Sequence, residues 1–564
     1  MRSLSLCPWR ARCARHPFLV PGVLLALWLL ATIGVRPLAM PDEGRYGSVA
    51  LHMLLSGDWI TPRLDGMPFF HKPPLYYWLA AGAMQLLGAA PWVARLPAAL
   101  AAWTMGMGTY LFLRSHAGPR IAGRTLLVLA TMPLLFGGGQ YLNLDMLVGA
   151  LISVTILAGA HAVLQAQRQR PFRRWVWIAY GLAGLGVLAK GLIGIVLPGG
   201  VLLVWLAWQR RGADILQLLS PVGMGLFAVV VLPWYGAMEQ RFPGFFHYFF
   251  VYQQFQRFAA GGFNNAHPAW FYPATLILMC LPWTLWFLRP LWRRSSGPAA
   301  RSLPDMGAWG RPVPPDSAAG LDRLAVVWLL LILLFFSLPE SKLVGYILPV
   351  LPAWAFLVVR IGMGISSEQP RSSSASAEQT PATACSPSPR LVGATVLGAV
   401  ALCLATVIAI TLMRPQPAAA AARWLAPRLQ PGDQVVMLDS LASDLQFHLA
   451  KPTPSWIVSV WDDPEAMWGD TWRKELWDAG EFDPTVRHDN LLTFTQFRQR
   501  LCSPTLTHTL WLWGSVDVER TLPLLAHAPL VWQAPASDRD HRRLWQLTPA
   551  DAHRLAGCPA PVSR

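Results

Sequence analysis

The sequence predicts a polytopic α-helical membrane protein with a small C-terminal α/β domain, and three observations carry that expectation. Apolar runs long enough to cross a bilayer recur along the chain, the first at Phe18–Val35. Charged residues make up 13% of the sequence, against roughly 25% in an ordinary soluble domain. The arginines gather in short loops between alternate apolar runs, the asymmetry that marks loops on the cytoplasmic side.

The runs fall at 18–36, 92–113, 121–137, 145–164, 175–190, 192–208, 216–234, 270–288, 324–338, 345–360 and 391–413. They predict about 11 to 13 membrane helices, the closely spaced pair around Lys190 being the least distinct. Met40-Pro41-Asp42 is a poor cleavage site, so the first run reads as a retained anchor. Arginine clusters at 114–124, 168–174, 210–211, 289–311 and 360–390 are separated by even numbers of runs. They share the side of the N-terminus, which is then the cytoplasm. The net charge of +16 is thus a topology signal rather than a nucleic-acid footprint.

The expected organisation is a membrane module over 1–365 with outer loops at 37–91 and 236–268. A cytoplasmic Ser/Pro/Ala linker at 366–390 has too little apolar content to fold. A last span at 391–413 leads into a periplasmic α/β domain at 414–564, where GDQVVMLDS reads as a strand and SDLQFHLA as a helix start. That domain holds Cys502 and Cys558 in a compartment that oxidises thiols, and the two are expected to pair. No Walker or dinucleotide fingerprint is present, which leaves ATP-driven and redox chemistry without support.

The first outer loop opens Met40-Pro41-Asp42-Glu43-Gly44-Arg45-Tyr46. Tyr46, Val49, Ala50, Met53 and Leu54 then recur at helical spacing, which predicts an amphipathic helix on the outer membrane surface. Asp42 and Glu43 stand in its first turn, either as helix-stabilising carboxylates or as site residues. Further on, His71-Lys72-Pro73-Pro74 precedes an aromatic helix, and Lys72 is placed to meet an anion at a helix start or to snorkel. Only five of 46 basic residues are lysines, and three of them, Lys72, Lys190 and Lys342, fall at outer ends of spans where cations are scarce. A compact ammonium there suits a phosphate at the membrane surface. Asp145 is an ionisable residue at the outer end of a span, a functional candidate by its cost alone. Arg257, in Phe249-Phe250-Val251-Tyr252-Gln253-Gln254-Phe255-Gln256-Arg257-Phe258, is a further cation on the side where arginine is rare.

These segments resemble a known family. DEGRYGSVALHMLLSGDWITPRLDGMPFFHKPPLYYW is similar to the first outer loop of the bacterial aminoarabinose transferases of lipid A modification. These belong to the protein mannosyltransferase-like enzymes of the GT-C class. AKGLIGIVLP, PWY, FFVYQQFQRF with HPAWFY and LPW, and SLPESKLVGYILPVLP resemble later family segments in the same order, over residues 40–360.

The resemblance implies a GT-C fold and an inverting hexosyl or pentosyl transferase. Its donor would be a sugar on undecaprenyl phosphate, and its acceptor lipid A or another glycolipid, glycan or protein at the outer face of the inner membrane. It implies Asp42 and Asp145 as catalytic carboxylates. It places Lys72 and Arg257 on the carrier phosphate and Tyr346 in the cavity lining; Glu43, Arg45, Tyr46, Lys190 and Lys342 are the further substrate-site candidates among these segments. Where some members have a Glu before Lys-Pro-Pro, this chain has His71. His71 and His267 are open to a divalent ion such as zinc or to plain hydrogen bonding. The competing reading is a flippase or transporter of polyprenyl-linked lipid. It expects charges at mid-membrane, whereas the charges here map to the outer interface.

Overall fold

The computed structural model describes residues 18–256, 265–289, 317–365, 388–413, 417–451, 453–463 and 471–558. The chain divides into two compact units, residues 1–33, 97–236 and 265–409 in one, and 34–96, 237–264 and 410–564 in the other. The outer loops therefore share a unit with the C-terminal domain, a grouping that the sequence had divided between two domains.

Every predicted apolar run contains a helix. Among the described residues six helices are long and apolar enough to cross a membrane, or seven if one bent pair counts as a span. The helices Leu19–Leu30 and Ile193–Trp208 are apolar but shorter. The bent pair, Pro119–Ala130 and Pro133–Gln140, turns through 61°. Pro133 has no N–H to continue the ladder, and it forces Met132 into an extended conformation. Large apolar side chains face outward, Leu397 being 72% and Val229 71% exposed. That surface suits lipid and not water. The protein is a multi-pass membrane protein.

The pair of helices Arg173–Lys190 and Ile193–Trp208 turns within two residues. Gly191 adopts φ 87° at the corner, and a Cβ on Gly194 would overlap the Gly186 backbone. The glycines of Ala-Lys-Gly-Leu-Ile-Gly thus allow two helices to meet backbone to backbone.

In the second unit the predicted surface helix is Asp42–Ser56, ended by Gly57 in the left-handed region. It does not lie free on a membrane surface, since nine of its residues, from Glu43 to Met53, are buried. The reason is its run of small residues. A Cβ on Gly47 would come within 3.2 Å of Phe447, and one on Gly44 within 2.9 Å of the Asp444 nitrogen. The helix Ser443–Leu449 packs in that space, and Ser48 Oγ donates to the Ser443 carbonyl.

Next comes a two-strand hairpin, β1 (Arg63–Leu64) and β2 (Met67–Pro68). Asp65 and Gly66, both at positive φ, form its turn, the Asp-Gly signature of a tight hairpin. The helix that follows is Leu75–Leu87, with Pro74 as N-cap. Lys72 therefore stands three residues ahead of the helix rather than immediately at its start.

The C-terminal domain contains β3 (Gln434–Leu438), β4 (Trp456–Val458), β5 (Leu491–Leu492), β6 (Leu510–Gly514), β7 (Leu530–Gln533) and β8 (Arg543–Leu547). They form one sheet in the order β5-β4-β3-β6-β8-β7. The first four are parallel, and β8 runs antiparallel to both of its neighbours, β6 and β7. Val436, Leu438, Val458, Leu512, Phe497 and Trp545 meet in its core. Cys502 and Cys558 are bridged, their Cα atoms 5.4 Å apart, which ties the ends of the helices Phe494–Leu501 and Pro549–Ala556.

Candidate functional site

The first turn of the helix Asp42–Ser56 gives its two carboxylates different environments. Glu43 is fully buried. It accepts from Arg36 at 3.0 Å, from Arg95 Nε and Nη2 at 2.8 and 2.9 Å, and from the Ala39 N–H at 2.8 Å. Arg95 also donates to the carbonyls of Arg36 and Pro37 at 2.8 and 2.7 Å. Burial pushes the Glu43 carboxyl up, but the Arg95 and Arg36 guanidiniums outweigh it and hold its pKa below the usual range. Both oxygens are committed to these arginines. The substrate-contact role implied for Glu43 gives way to a structural one, the pinning of residues 36–39 to the helix.

Asp42 is the more open of the two, with its side chain 29% exposed. Its Oδ1 accepts from Arg45 Nη2 at 2.9 Å, one turn on. Arg45 donates through Nη1 to Glu475 Oε2 at 2.7 Å. Burial works against the charge of Arg45, yet Glu475 foremost, with Asp42, raises its pKa above the ordinary value. The other Glu475 oxygen lies 2.9 Å from His71 Nδ1, and His71 Nε2 is 2.8 Å from the Tyr248 hydroxyl. Asp42, Arg45, Glu475, His71 and Tyr248 thus form a continuous chain of polar contacts, with Lys72 half-buried beside His71. Tyr46 is buried in an aromatic cluster with Phe69 and Tyr77, centroids 6.4 and 6.2 Å away.

In the membrane-helix unit, Asp145 stands in the first turn of the helix Leu144–Gln167, where Asn143 accepts from its N–H at 2.9 Å. Its Oδ1 accepts from Lys190 Nζ. Lys190 closes the helix Arg173–Lys190, and its ammonium sits 4.0 Å from the centre of the Tyr346 ring. An acid at a helix N-terminus facing a cation at a helix C-terminus satisfies both macrodipoles. The structure brings these three expected residues together.

Lys342 is different. It is 3% exposed, and its ammonium donates to the carbonyls of His267 at 2.8 Å, of Glu340 at 3.4 Å, and of Pro339. Three N–H donors meet three backbone acceptors, so Lys342 holds a loop and presents no spare donor to a phosphate. The His267 ring stacks on Phe271 at 4.2 Å, nearly parallel. Arg257 lies outside the described residues.

Zinc needs a free ring nitrogen from each histidine. His71 Nε2 is taken by the Tyr248 hydroxyl at 2.8 Å, and Nδ1 faces Glu475 Oε1 at 2.9 Å. Among the described residues no group of three or more His, Cys, Asp or Glu is arranged to hold a metal. The residues around His71 do not fit a zinc site as they stand.

Glu475 and Tyr248 are the functional candidates that sequence reasoning missed. Glu475 is 430 residues from Arg45, in a segment with no motif of its own. Tyr248 abuts the aromatic stretch read from Phe249 onward, and only its pairing with His71 sets it apart from its neighbours.

The family described as dolichyl-phosphate-mannose-protein mannosyltransferase matches residues 71–235. An undecaprenyl phosphate-alpha-4-amino-4-deoxy-L-arabinose arabinosyl transferase 1 of Pseudomonas fluorescens is 32% identical over 366 residues, 64% of this chain and 60% of that protein. The corresponding transferase of Pseudomonas savastanoi is 33% identical over 342 residues, 60% of each chain. The chain thus spans about 60% of the length of these curated relatives. Among solved structures, ArnT from Cupriavidus metallidurans bound to undecaprenyl phosphate superposes with a TM-score of 0.71 at 22% identity. The match covers 96% of this chain and 99% of that one. The chain has the GT-C fold of ArnT, and in sequence it resembles the aminoarabinose transferases of that class.

Proposed function

We propose that this protein is an inverting glycosyltransferase working at the periplasmic face of the bacterial inner membrane. It moves a sugar from an undecaprenyl-phosphate-linked donor to lipid A or a related envelope acceptor. The observation that carries the reading is the cluster Asp42–Arg45–Glu475–His71 beside Lys72, in a chain with the fold of ArnT. The likeness to arabinosyl transferases supports this choice of donor and acceptor.

In the reaction, the acceptor oxygen attacks the anomeric carbon from the face opposite the phosphate. The new C–O bond forms as the bond to the phosphate oxygen breaks, which inverts the centre. Asp42, the open carboxylate, receives or orients the acceptor proton. Lys72 and Arg257 neutralise the charge that collects on the departing phosphate. Asp145, with Lys190 and Tyr346, is the second candidate polar cluster, within the membrane-helix unit.

The outward orientation rests on the arginine loops, and alkaline phosphatase fused at Arg564 should be active while a fusion near Ser374 is not. The deciding test of function is sugar transfer from an undecaprenyl-phosphate-linked donor in liposomes, paired with mass spectrometry of lipid A from a deletion strain. Unchanged lipid A and envelope glycans in that strain, together with no transfer in liposomes, would overturn the reading.

A further inference from the structure

Glu475 belongs to the C-terminal domain, yet its carboxylate is divided between two residues of the first outer loop. Oε2 takes Arg45 at 2.7 Å and Oε1 faces His71 Nδ1 at 2.9 Å. The segment that carries it is firmly seated. Leu476 and Ala479 are buried on the helix Trp472–Ala479. Phe482, just beyond, packs edge-on against Phe70 at 4.9 Å and Tyr248 at 5.3 Å. Asp483 then pairs with Arg63 at 2.9 Å. Residues 472–483 thus touch the start of the helix Asp42–Ser56, the hairpin β1–β2, the turn before Leu75 and the Tyr248 segment.

Resting on the reading of the chain as a glycosyltransferase, we propose that Glu475 is a positioning residue through which the C-terminal domain sets the geometry of Asp42. Arg45 is shared between two carboxylates, one oxygen of each. A guanidinium with two carboxylate neighbours is held between them, whereas one with a single neighbour closes on it in a two-bond fork. Glu475 keeps Arg45 from taking both oxygens of Asp42 and leaves one for the acceptor proton. His71, anchored at its far nitrogen by Tyr248 at 2.8 Å, stands 2.9 Å from the other Glu475 oxygen. The domain acts on the chemistry through one side chain, without entering the reaction.

The test compares parent, Glu475→Gln and Glu475→Ala in liposomes supplied with an undecaprenyl-phosphate-linked sugar donor. The expected result is a fall in kcat of about tenfold for Glu475→Gln and about a hundredfold for Glu475→Ala, with donor KM moving less than about threefold. Formate, a small replacement carboxylate, should restore part of the lost rate in Glu475→Ala and leave the parent unchanged. A merely structural Glu475 gives no such rescue. Glu475→Gln keeps the side-chain volume and carries the test if Glu475→Ala does not fold.

Hydrogen exchange over residues 40–47 and 69–75 provides a readout independent of turnover, and it should quicken in both variants. If the parent transfers no sugar, the functional reading fails while the exchange result still decides whether Glu475 orders these segments. Parent-level kcat in both variants, or a loss that formate does not touch and that follows the loss of folded protein, would overturn the proposal.

Discussion

Two helix starts in this molecule each place a carboxylate opposite a cation, and they differ in how far the partner lies along the chain. At Leu144–Gln167, Asp145 meets Lys190, 45 residues on, at the end of the next helix. At Asp42–Ser56, Asp42 meets Arg45 within one turn, but Arg45 is shared with Glu475, 430 residues away. The first arrangement is a local product of helix–helix packing and dipole matching. The second depends on a separate α/β domain folding against the loop. A charged residue at a helix start can therefore be recognised from sequence as exceptional, while what it is paired with cannot.

The sharpest break in the comparison lies inside the second region, between neighbours. Glu43→Gln leaves two buried guanidiniums without their carboxylate, a loss on the order of 3–5 kcal/mol. It should sharply lower the yield of monodisperse protein and its unfolding temperature, whereas Asp42→Asn should leave both near the parent. Equal stability of the two variants would remove the division of labour drawn between Glu43 and Asp42.

The disulfide sets apart the domain that supplies Glu475. In the chain-entropy view, closing a loop that joins cysteines 56 residues apart stabilises by roughly 4 kcal/mol. Cys502→Ser with Cys558→Ser should therefore lower the domain's unfolding midpoint by several degrees and make residues 417–558 more sensitive to protease. The helix Leu144–Gln167, in the other unit, should stay as resistant as before. If both regions lose protection equally, the two are not separable in stability.

Activity gives the next largest contrast. Lys72→Ala should slow transfer by roughly a hundredfold and weaken donor binding, the loss of a charge-assisted contact to a phosphate. Asp42→Asn should abolish turnover with donor binding kept. Parent-rate transfer by Asp42→Asn would reassign Asp42 as a helix-stabilising group. In the other region, Asp145→Asn and Lys190→Met should each cost about tenfold, and the double variant no more than the worse single, because each group is the other's partner. Additive losses would mean that they act separately.

What was legible in the sequence follows from the range of the forces involved. Among the described residues, apolar run length marked every helix long enough to cross a membrane, and the strand of GDQVVMLDS and the pairing of the two cysteines were to be expected from pattern and compartment. The packing partners were not. The amphipathic face of Tyr46, Val49, Ala50, Met53 and Leu54 is visible in the sequence, but not that the small residues Gly44 and Gly47 beside it admit the helix Ser443–Leu449. Lys342 was counted with the other outer lysines because sequence shows the charge and not the three carbonyls that enclose it. Glu43 was taken with Asp42 since nothing local reveals that Arg36 and Arg95 converge on it alone.

The finest probe of the loop-to-domain contact is Asp65, at the turn of the hairpin β1–β2. Its Oδ1 accepts from the Ser455 N–H at 2.8 Å, and the Gln446 side chain stands close to the same buried carboxylate. Burial raises its pKa to about 6, more than the hydrogen bonds from Ser455 and Gln446 and the charge of Lys451 pull it down. The folded state thus holds the Asp65 proton more tightly than the unfolded chain, whose carboxyl titrates near 3.8. Between those two values the folded form binds more protons, so this group's contribution to stability falls as pH rises from about 4 to about 6. Above that window the full penalty of a buried charge remains. Asp65→Asn removes the charge, keeps an acceptor for Ser455, and suits the left-handed turn conformation at φ 51°. Its amide N–H replaces an acceptor oxygen that faces the Gln446 side chain, which offsets part of the gain. The net effect at pH 7.5 should be stabilisation on the order of 1–2 kcal/mol, shrinking to nothing near pH 4. Unfolding midpoints of parent and variant across pH 4–7.5 provide the check. Asp444, another buried carboxyl raised to about 6, titrates in both proteins and largely cancels in their difference. A variant less stable than the parent at pH 7.5 would mean that the carboxylate, charge included, is what binds the hairpin to the C-terminal domain.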